Sequence, residues 1–312
     1  MSSSSTGSGV RLVPVSTDRD GQRVDNFLAT QLKGVPKSAV YRMIRTGQVR
    51  INGSRCKPST KLAAGDQVRI PPARTHDRGQ AIVSDRVREQ LQACVLYEDE
   101  DLLVIDKPSG MAVHAGSGLP WGVIDVLRQE RAGQYLELVH RLDRETSGCL
   151  LLARSGASLG ALSRQFRAGQ VRKHYLCLLD GKMPEPLLEV NAPLRKVQTS
   201  PESRVEVRAD GKPALTRLRL LEAFDDASYV EAELLTGRTH QIRVHAAFLG
   251  LPLAGDGKYA PTEAVARWKQ RGLKRLFLHA HRLELTLPGG AGAEFSAPLP
   301  EALRGLLTRL GA

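Results

Sequence analysis

Residues 138–148 read Leu-Val-His-Arg-Leu-Asp-Arg-Glu-Thr-Ser-Gly, a polar run between apolar stretches, with Asp143 set between Arg141 and Arg144. A carboxylate kept ionised beside guanidinium groups can attack an electrophilic carbon or take a proton from one. A plainer reading stays open here. Acidic residues are common in turns, and Arg144 or the backbone at Thr146 and Ser147 could satisfy Asp143. Two further stretches carry reactive or charged side chains in apolar settings: Arg-Lys-His-Tyr at 172–175 and Thr-Gly-Arg-Thr-His-Gln-Ile-Arg-Val-His at 236–245. Tyr175 could equally be a core tyrosine, Arg243 a surface charge and Arg238 the closure of a turn.

Several kinds of chemistry lack their sequence pattern. There is no G-x-x-x-x-G-K-[ST] and no G-x-G-x-x-G after a strand, so nucleotide phosphates have no glycine cradle. His240 and His245 are five apart, out of phase for shared metal ligation, and no H-E-x-x-H glutamate accompanies them. Cys56, Cys94, Cys149 and Cys177 are scattered singly and read as reduced thiols of a cytosolic protein. The serine-rich start has no secretory pattern, and no apolar run reaches bilayer length. What remains is a polar cleft working without metal or cofactor, in a protein expected to be cytoplasmic, monomeric and without a membrane partner.

Charge points to the partner. The chain of 312 residues carries a net +12, and 11 basic against 2 acidic residues fall between Gly21 and Thr75. So local an excess calls for an anionic partner, and nucleic acid is the usual one. Val24, Phe27, Leu28 and Leu32 recur at helical spacing, and Ser38 is placed to cap a second helix that Gly47 ends. Short alternating strands follow, with turns at Asn52-Gly53 and Gly65-Asp66.

The stretch from Val24 to Ile70 resembles an S4 domain, a small RNA-binding module. The resemblance implies that Arg42, Arg45, Arg50 and Lys57 touch RNA phosphates, contacts that give affinity with little sequence reading. Residues 1–19 are expected to be a flexible tail, 20–72 the S4-like domain, and 73–92, with paired prolines, a linker. Residues 93–312 should form an α+β catalytic domain, a mixed and largely antiparallel sheet with flanking helices. The region Pro-Glu-Ser-Arg-Val-Glu-Val-Arg-Ala-Asp-Gly-Lys at 201–212 is expected to be a surface loop.

H-R-L-D-x-x-T-S-G at 140–148 is similar to the signature of the ribosomal large-subunit pseudouridine synthases. R-K-H-Y-L-C-L-L-D-G resembles that family's tyrosine motif, and the run from Leu234 to Ala260 its arginine motif. Asp-Leu-Leu-Val-Ile-Asp-Lys-Pro-Ser-Gly at 101–110 resembles the strand and loop that open its catalytic domain. The resemblance spans roughly residues 20–300. It implies that uridine is isomerised to pseudouridine without a cofactor, on 23S rRNA or an assembling large-subunit precursor.

By this resemblance Asp143 is the essential aspartate, acting by attack at C1′ or by proton removal at C2′. Arg243 is its guanidinium partner, and Tyr175 stacks on the base and helps with the last proton. Arg141 fills the space left by the flipped base. His140 and Arg238 stand on the substrate side, His140 chiefly bonding the loop of Asp143, and Lys107 and Pro108 shape the cleft edge. The N-terminal domain looks most similar to the C type of the family, with the D type the nearest competitor. A non-catalytic rRNA-binding assembly factor and a histidine-based nuclease are the alternatives from other classes.

Overall fold

The computed structural model describes residues 9–32, 35, 37–73, 83–115, 119–198 and 203–311. The expectations for the serine tail through residue 8 and for the linker at 74–82 lie outside the described residues.

The N-terminal unit closes around one apolar cluster. β1 (Arg11–Pro14), α1 (Val24–Gln31) and α2 (Lys37–Arg45) come first. β2 (Arg50–Ile51), β3 (Ser54–Arg55) and β4 (Gln67–Ile70) complete an antiparallel sheet in the order β1-β4-β2-β3. Val24, Phe27 and Leu28 of α1 meet Val40, Met43 and Ile44 of α2, the apolar faces read from the sequence. Asn52 and Gly53, at φ 49° and 79°, turn the β2–β3 hairpin as expected of that pair.

Two readings change. Arg11–Pro14 belongs to the sheet, paired with Ile70–Gln67, so the expected tail does not extend through residue 19. β4 has an edge to fill, and β1 fills it. The second helix opens at Lys37, so Ser38 stands inside its first turn instead of at its cap.

The larger unit contains α3 (Asp85–Ala93), β5 (Val95–Glu98), β6 (Leu102–Lys107), α4 (Val123–Glu130), β7 (Glu137–Leu138) and β8 (Ser147–Ala153). Next come α5 (Gly156–Ala168), β9 (Arg172–Asp180), β10 (Leu187–Asn191), β11 (Leu194–Gln198) and β12 (Ser203–Val207). β13 (Leu215–Ala223), β14 (Ala227–Leu234), α6 (Gln241–Phe248), α7 (Thr262–Gln270), β15 (Leu278–Thr286), β16 (Gly292–Ser296) and α8 (Glu301–Leu310) follow.

One sheet runs β10-β13-β14-β9-β15-β8-β6-β5, with β16 beside β15 and β7 beside β8. Its pairings are antiparallel except for the short parallel junction of β15 with β8. Both faces are covered. Leu103, Ile105, Leu150 and Leu152 lie in one cluster, and their alternates Leu102, Val104, Cys149 and Leu151 in another. That double burial is why Cys149–Ala153 reads as an unbroken apolar run.

The linker expected over 73–92 is corrected in its second half, because α3 lies within it. Val83 and Leu91 are buried in the main core with Val87 packed against it, a stripe at i, i+4 and i+8. The loop expected at 201–212 contains β12, which pairs with β11 as a separate hairpin.

Candidate active site

Asp143 sits in the loop between β7 and β8, and the Lys107–Met111 segment clamps that loop. Gly110 N–H donates to Arg144 O (2.8 Å), while Arg144 Nε donates back to Gly110 O (2.9 Å). Ser109 Oγ donates to Glu145 O (2.6 Å). Fully buried Lys107 donates to the carbonyls of Pro108 (2.7 Å), Met111 (2.9 Å) and Arg144 (3.3 Å), and burial brings its pKa down to about 7.

These contacts decide the question about Asp143. Arg144 is turned to Gly110, and neither Arg141 nor Arg144 forms an ion pair with Asp143. Thr146 N–H donates to the backbone oxygen of Asp143, not to its carboxylate (3.2 Å). Among the described residues the basic side chain within 4 Å of the carboxylate is the imidazole of His240, with Nε2 at 3.8 Å from Oδ2, and the Asp143 side chain keeps 33% exposure. The carboxylate faces the cleft uncommitted.

Tyr175 is on β9, directly opposite Ala232 of β14 and Ala280 of β15. Small neighbours on both sides leave the ring room on its face of the sheet. Its hydroxyl has no hydrogen-bond partner among the described residues. Burial pushes its pKa well above the usual range, helped by the charge of Asp143, so the phenol stays protonated.

Arg243 lies on α6, 3% exposed. It reaches the cleft wall, but its fork is on Asp256, with Nε to Oδ2 at 2.8 Å and Nη2 to Oδ1 at 2.6 Å. Glu145 adds a second ion pair at 3.2 Å. The direct pairing of Arg243 with Asp143 expected from the sequence is therefore corrected: the two attract across the cleft without touching. Burial would lower the Arg243 pKa, but the Asp256 hydrogen bonds and the nearby carboxylates hold it above its ordinary value.

The turn before α6 is built by Gln241. Its Oε1 accepts from Thr236 Oγ1 (2.8 Å) and Arg238 N–H (3.0 Å), and its Nε2 donates to Leu215 O (3.0 Å) and Thr216 Oγ1 (2.9 Å). Arg238 itself is exposed, with Nε donating to Pro213 O (3.1 Å). His140 accepts from Leu151 N–H (3.1 Å) and stacks on Phe166 with ring centroids 4.9 Å apart. Burial lowers its pKa to about 4, which keeps it neutral. It ties the Asp143 loop to β8, as the sequence indicated.

All six residues assigned to chemistry or substrate, Asp143, Tyr175, Arg243, Arg141, Arg238 and His140, line one cleft of about 850 Å³. Arg167, Lys173 and Lys196 join it, and Asp143 is the only carboxylate of its lining among the described residues. Val113, Leu234, Ile242 and Leu278 supply apolar surface. An apolar surface for a base, cations for phosphates and one free carboxylate suit a nucleotide drawn out of its stack. Among the described residues no cluster of three or more His, Cys, Asp or Glu side chains is placed to hold a metal ion.

Arg42, Arg45, Arg50 and Lys57 lie on the N-terminal unit, not in the cleft. All four are exposed and, among the described residues, unpaired with any carboxylate. Arg50 donates to Gly47 O in the turn after α2 (3.4 Å) and to Gly53 O in the β2–β3 turn (3.0 Å). Asp256, Gln241, His240 and Tyr259 are the residues that sequence reasoning missed as parts of the site. They stand inside the arginine motif, where polar residues in an otherwise apolar stretch were the available signal.

Comparison with known proteins agrees with this geometry. Residues 101–248 match the RNA pseudouridylate synthase family model and residues 22–68 the S4 domain model. The chain is 47% identical over 306 residues to ribosomal large subunit pseudouridine synthase C of Yersinia pestis, covering 96% of both chains. It is 46% identical over 308 residues to the protein of that name from Escherichia coli K12, covering 96% of this chain and 97% of the other. Among solved structures, human RNA pseudouridylate synthase domain containing 4 aligns with TM-score 0.60 and 27% identity, over 72% of this chain and 96% of that one. Human RNA pseudouridylate synthase domain containing 1 aligns with TM-score 0.57 and 28% identity, over 70% and 94%. With a relative this similar along nearly its whole length, and with that family's motifs gathered in one cleft, this chain belongs to the RNA pseudouridine synthases and carries an S4 domain at its N-terminal side.

Proposed function

We propose that the protein isomerises specific uridines of 23S rRNA to pseudouridine, at C-type sites in or near the peptidyl-transferase region. It acts as a cytoplasmic monomer on rRNA or on a large-subunit precursor. The observation that carries the reading is Asp143, an unclaimed carboxylate alone among cations in a cleft with apolar walls. The names and the near full-length similarity of the relatives support the large subunit and the C type.

In the reaction the C1′–N1 bond breaks and a C1′–C5 bond forms. The proton on C5 leaves and N1 gains one, so composition is unchanged and no cofactor is required. Asp143 acts at the ribose, by attack at C1′ or by proton removal at C2′, as a carboxylate beside a cation-like sugar carbon. Tyr175 supplies the ring against which the detached uracil turns, and Arg141 occupies the space it vacates in the RNA. Arg243, locked by Asp256, holds a fixed orientation at the cleft wall.

The test uses 23S rRNA from a strain lacking the protein, treated with wild type or Asp143→Asn and mapped by carbodiimide-dependent reverse-transcription stops. New stops with wild type alone support the reading, and their positions separate C type from D type. Binding without new stops on naked RNA and on precursors alike would leave an RNA-binding factor, and strand scission would indicate a nuclease.

A further inference from the structure

His240 is the one described non-glycine residue besides Asn52 with positive φ, at 55°. Asn52 has a turn to explain it. His240 opens α6, a place where any residue of ordinary backbone geometry would serve, and left-handed backbone is costly for a side chain of this size. Such strain persists where the surroundings require that side chain in that place.

The surroundings are specific. Tyr259 Oη lies 2.8 Å from His240 Nδ1, and the two rings meet edge to face at 5.5 Å. The same hydroxyl accepts from Val205 N–H of β12 (3.2 Å). Its proton has no other acceptor among the described residues, so it is donated to Nδ1. The imidazole must then carry its own proton on Nε2, which faces Asp143 Oδ2 at 3.8 Å. Burial lowers the imidazole pKa against the pull of Asp143, with Arg243 and Lys258 lowering it further and Asp256 opposing them, which favours this neutral form. The 3.8 Å spacing exceeds a hydrogen bond, and contacts of this kind commonly tighten only in the substrate complex.

We infer that His240 is a positioning residue for Asp143, a neutral Nε2–H donor whose tautomer is imposed by Tyr259 and, through it, by the β11–β12 hairpin. The inference rests on the assignment of Asp143 as the acting group. A neutral donor orients the carboxylate without the strong charge pairing that would quench it, which the Arg243–Asp256 pairing avoids in the same way. The hairpin also places Lys196 in the cleft wall, so RNA held there bears on the element that fixes the donor.

The experiment compares His240→Gly, His240→Asn, His240→Gln and Tyr259→Phe with wild type in single-turnover pseudouridine formation on a 23S rRNA fragment. RNA affinity and melting temperature are measured alongside. Glycine and asparagine tolerate positive φ but place no donor at Nε2, whereas glutamine reaches that position. The Gly and Asn variants should be slower on the order of tenfold to a hundredfold, the worth of a hydrogen bond to a charged group. Their RNA affinity should stay within about twofold, and the melting temperature of the Gly variant should fall with the loss of the Tyr259 hydrogen bond. The Gln variant should regain most of the rate, and Tyr259→Phe should lose an intermediate amount. Gly or Asn variants as fast as wild type, or a Gln variant no faster than Gly, overturn the inference while leaving Asp143 untouched. Wild type that forms no pseudouridine overturns both.

Discussion

Gly148 lies in register with Ala280 at the short parallel junction of β8 and β15, so close that a Cβ at 148 would stand 2.2 Å from the Ala280 carbonyl oxygen. Ala280 in turn faces Tyr175 on its other side. The last residue of the aspartate motif and the tyrosine of the next motif are thus held one strand apart. Gly148 also has φ 111°, open only to glycine at low cost.

Gly148→Ala should therefore destabilise the protein on the order of 3 kcal/mol, through backbone strain and a clash with a strand that cannot yield. Urea unfolding checks it. An unchanged midpoint would mean that the junction is looser than the register indicates.

Arg243→Lys keeps a charge but loses the fork on Asp256, which is fully buried. We expect a loss of about 2–4 kcal/mol and of most pseudouridine formation. Asp256→Asn should be similarly harmful in both assays, although Asp256 has no contact with Asp143. An active Asp256→Asn enzyme would mean that Arg243 needs no fixed orientation.

His279 is fully buried, with Nδ1 2.9 Å from Ser147 Oγ and Nε2 3.1 Å from Ala297 O, and burial brings its pKa to about 4. In the unfolded chain it takes up a proton near pH 6.5. Below that the unfolded state binds more protons, so its contribution is whole above about pH 6.5 and is lost as pH falls toward about 4. The loss approaches about 1.4 kcal/mol per pH unit within that window. His279→Gln should show a flatter stability profile there, read from urea midpoints between pH 7 and 4. Parallel profiles for the two proteins would refute this.

Arg42 and Arg45 project from α2 without acidic partners among the described residues. Arg42→Gln with Arg45→Gln should weaken RNA binding and flatten the slope of log affinity against log salt by about 1.5, some 0.7–0.9 per phosphate contact. The single-turnover rate at saturating RNA should stay near wild type. A changed rate with unchanged salt slope would place these residues in site selection instead.

Much of the architecture was legible because it is written in local patterns. The apolar faces of α1 and α2, the Asn52-Gly53 turn and the doubly buried run of β8 each follow from periodicity and side-chain shape within a few residues. So did the motif residues, since Asp143, Tyr175 and Arg243 line one cleft. α3 was passed over because Pro71 and Pro72 made its surroundings look like a linker, though Val83, Val87 and Leu91 carried its stripe. β1 was missed because its partner β4 lies more than fifty residues on.

The sequence by itself determined which residues could line the cleft, because residue type and spacing along a strand or helix decide what a face can present. Only the tertiary structure decided their pairings. Arg243 has Asp143, Glu145 and Asp256 around it, and it takes Asp256 with both arms of its fork because Asp256 is buried beneath it, where an unpaired carboxylate would be costly. Asp143 stays free because the Lys107–Met111 segment, distant in sequence, draws Arg144 away. Such choices depend on distances between segments that local sequence does not encode.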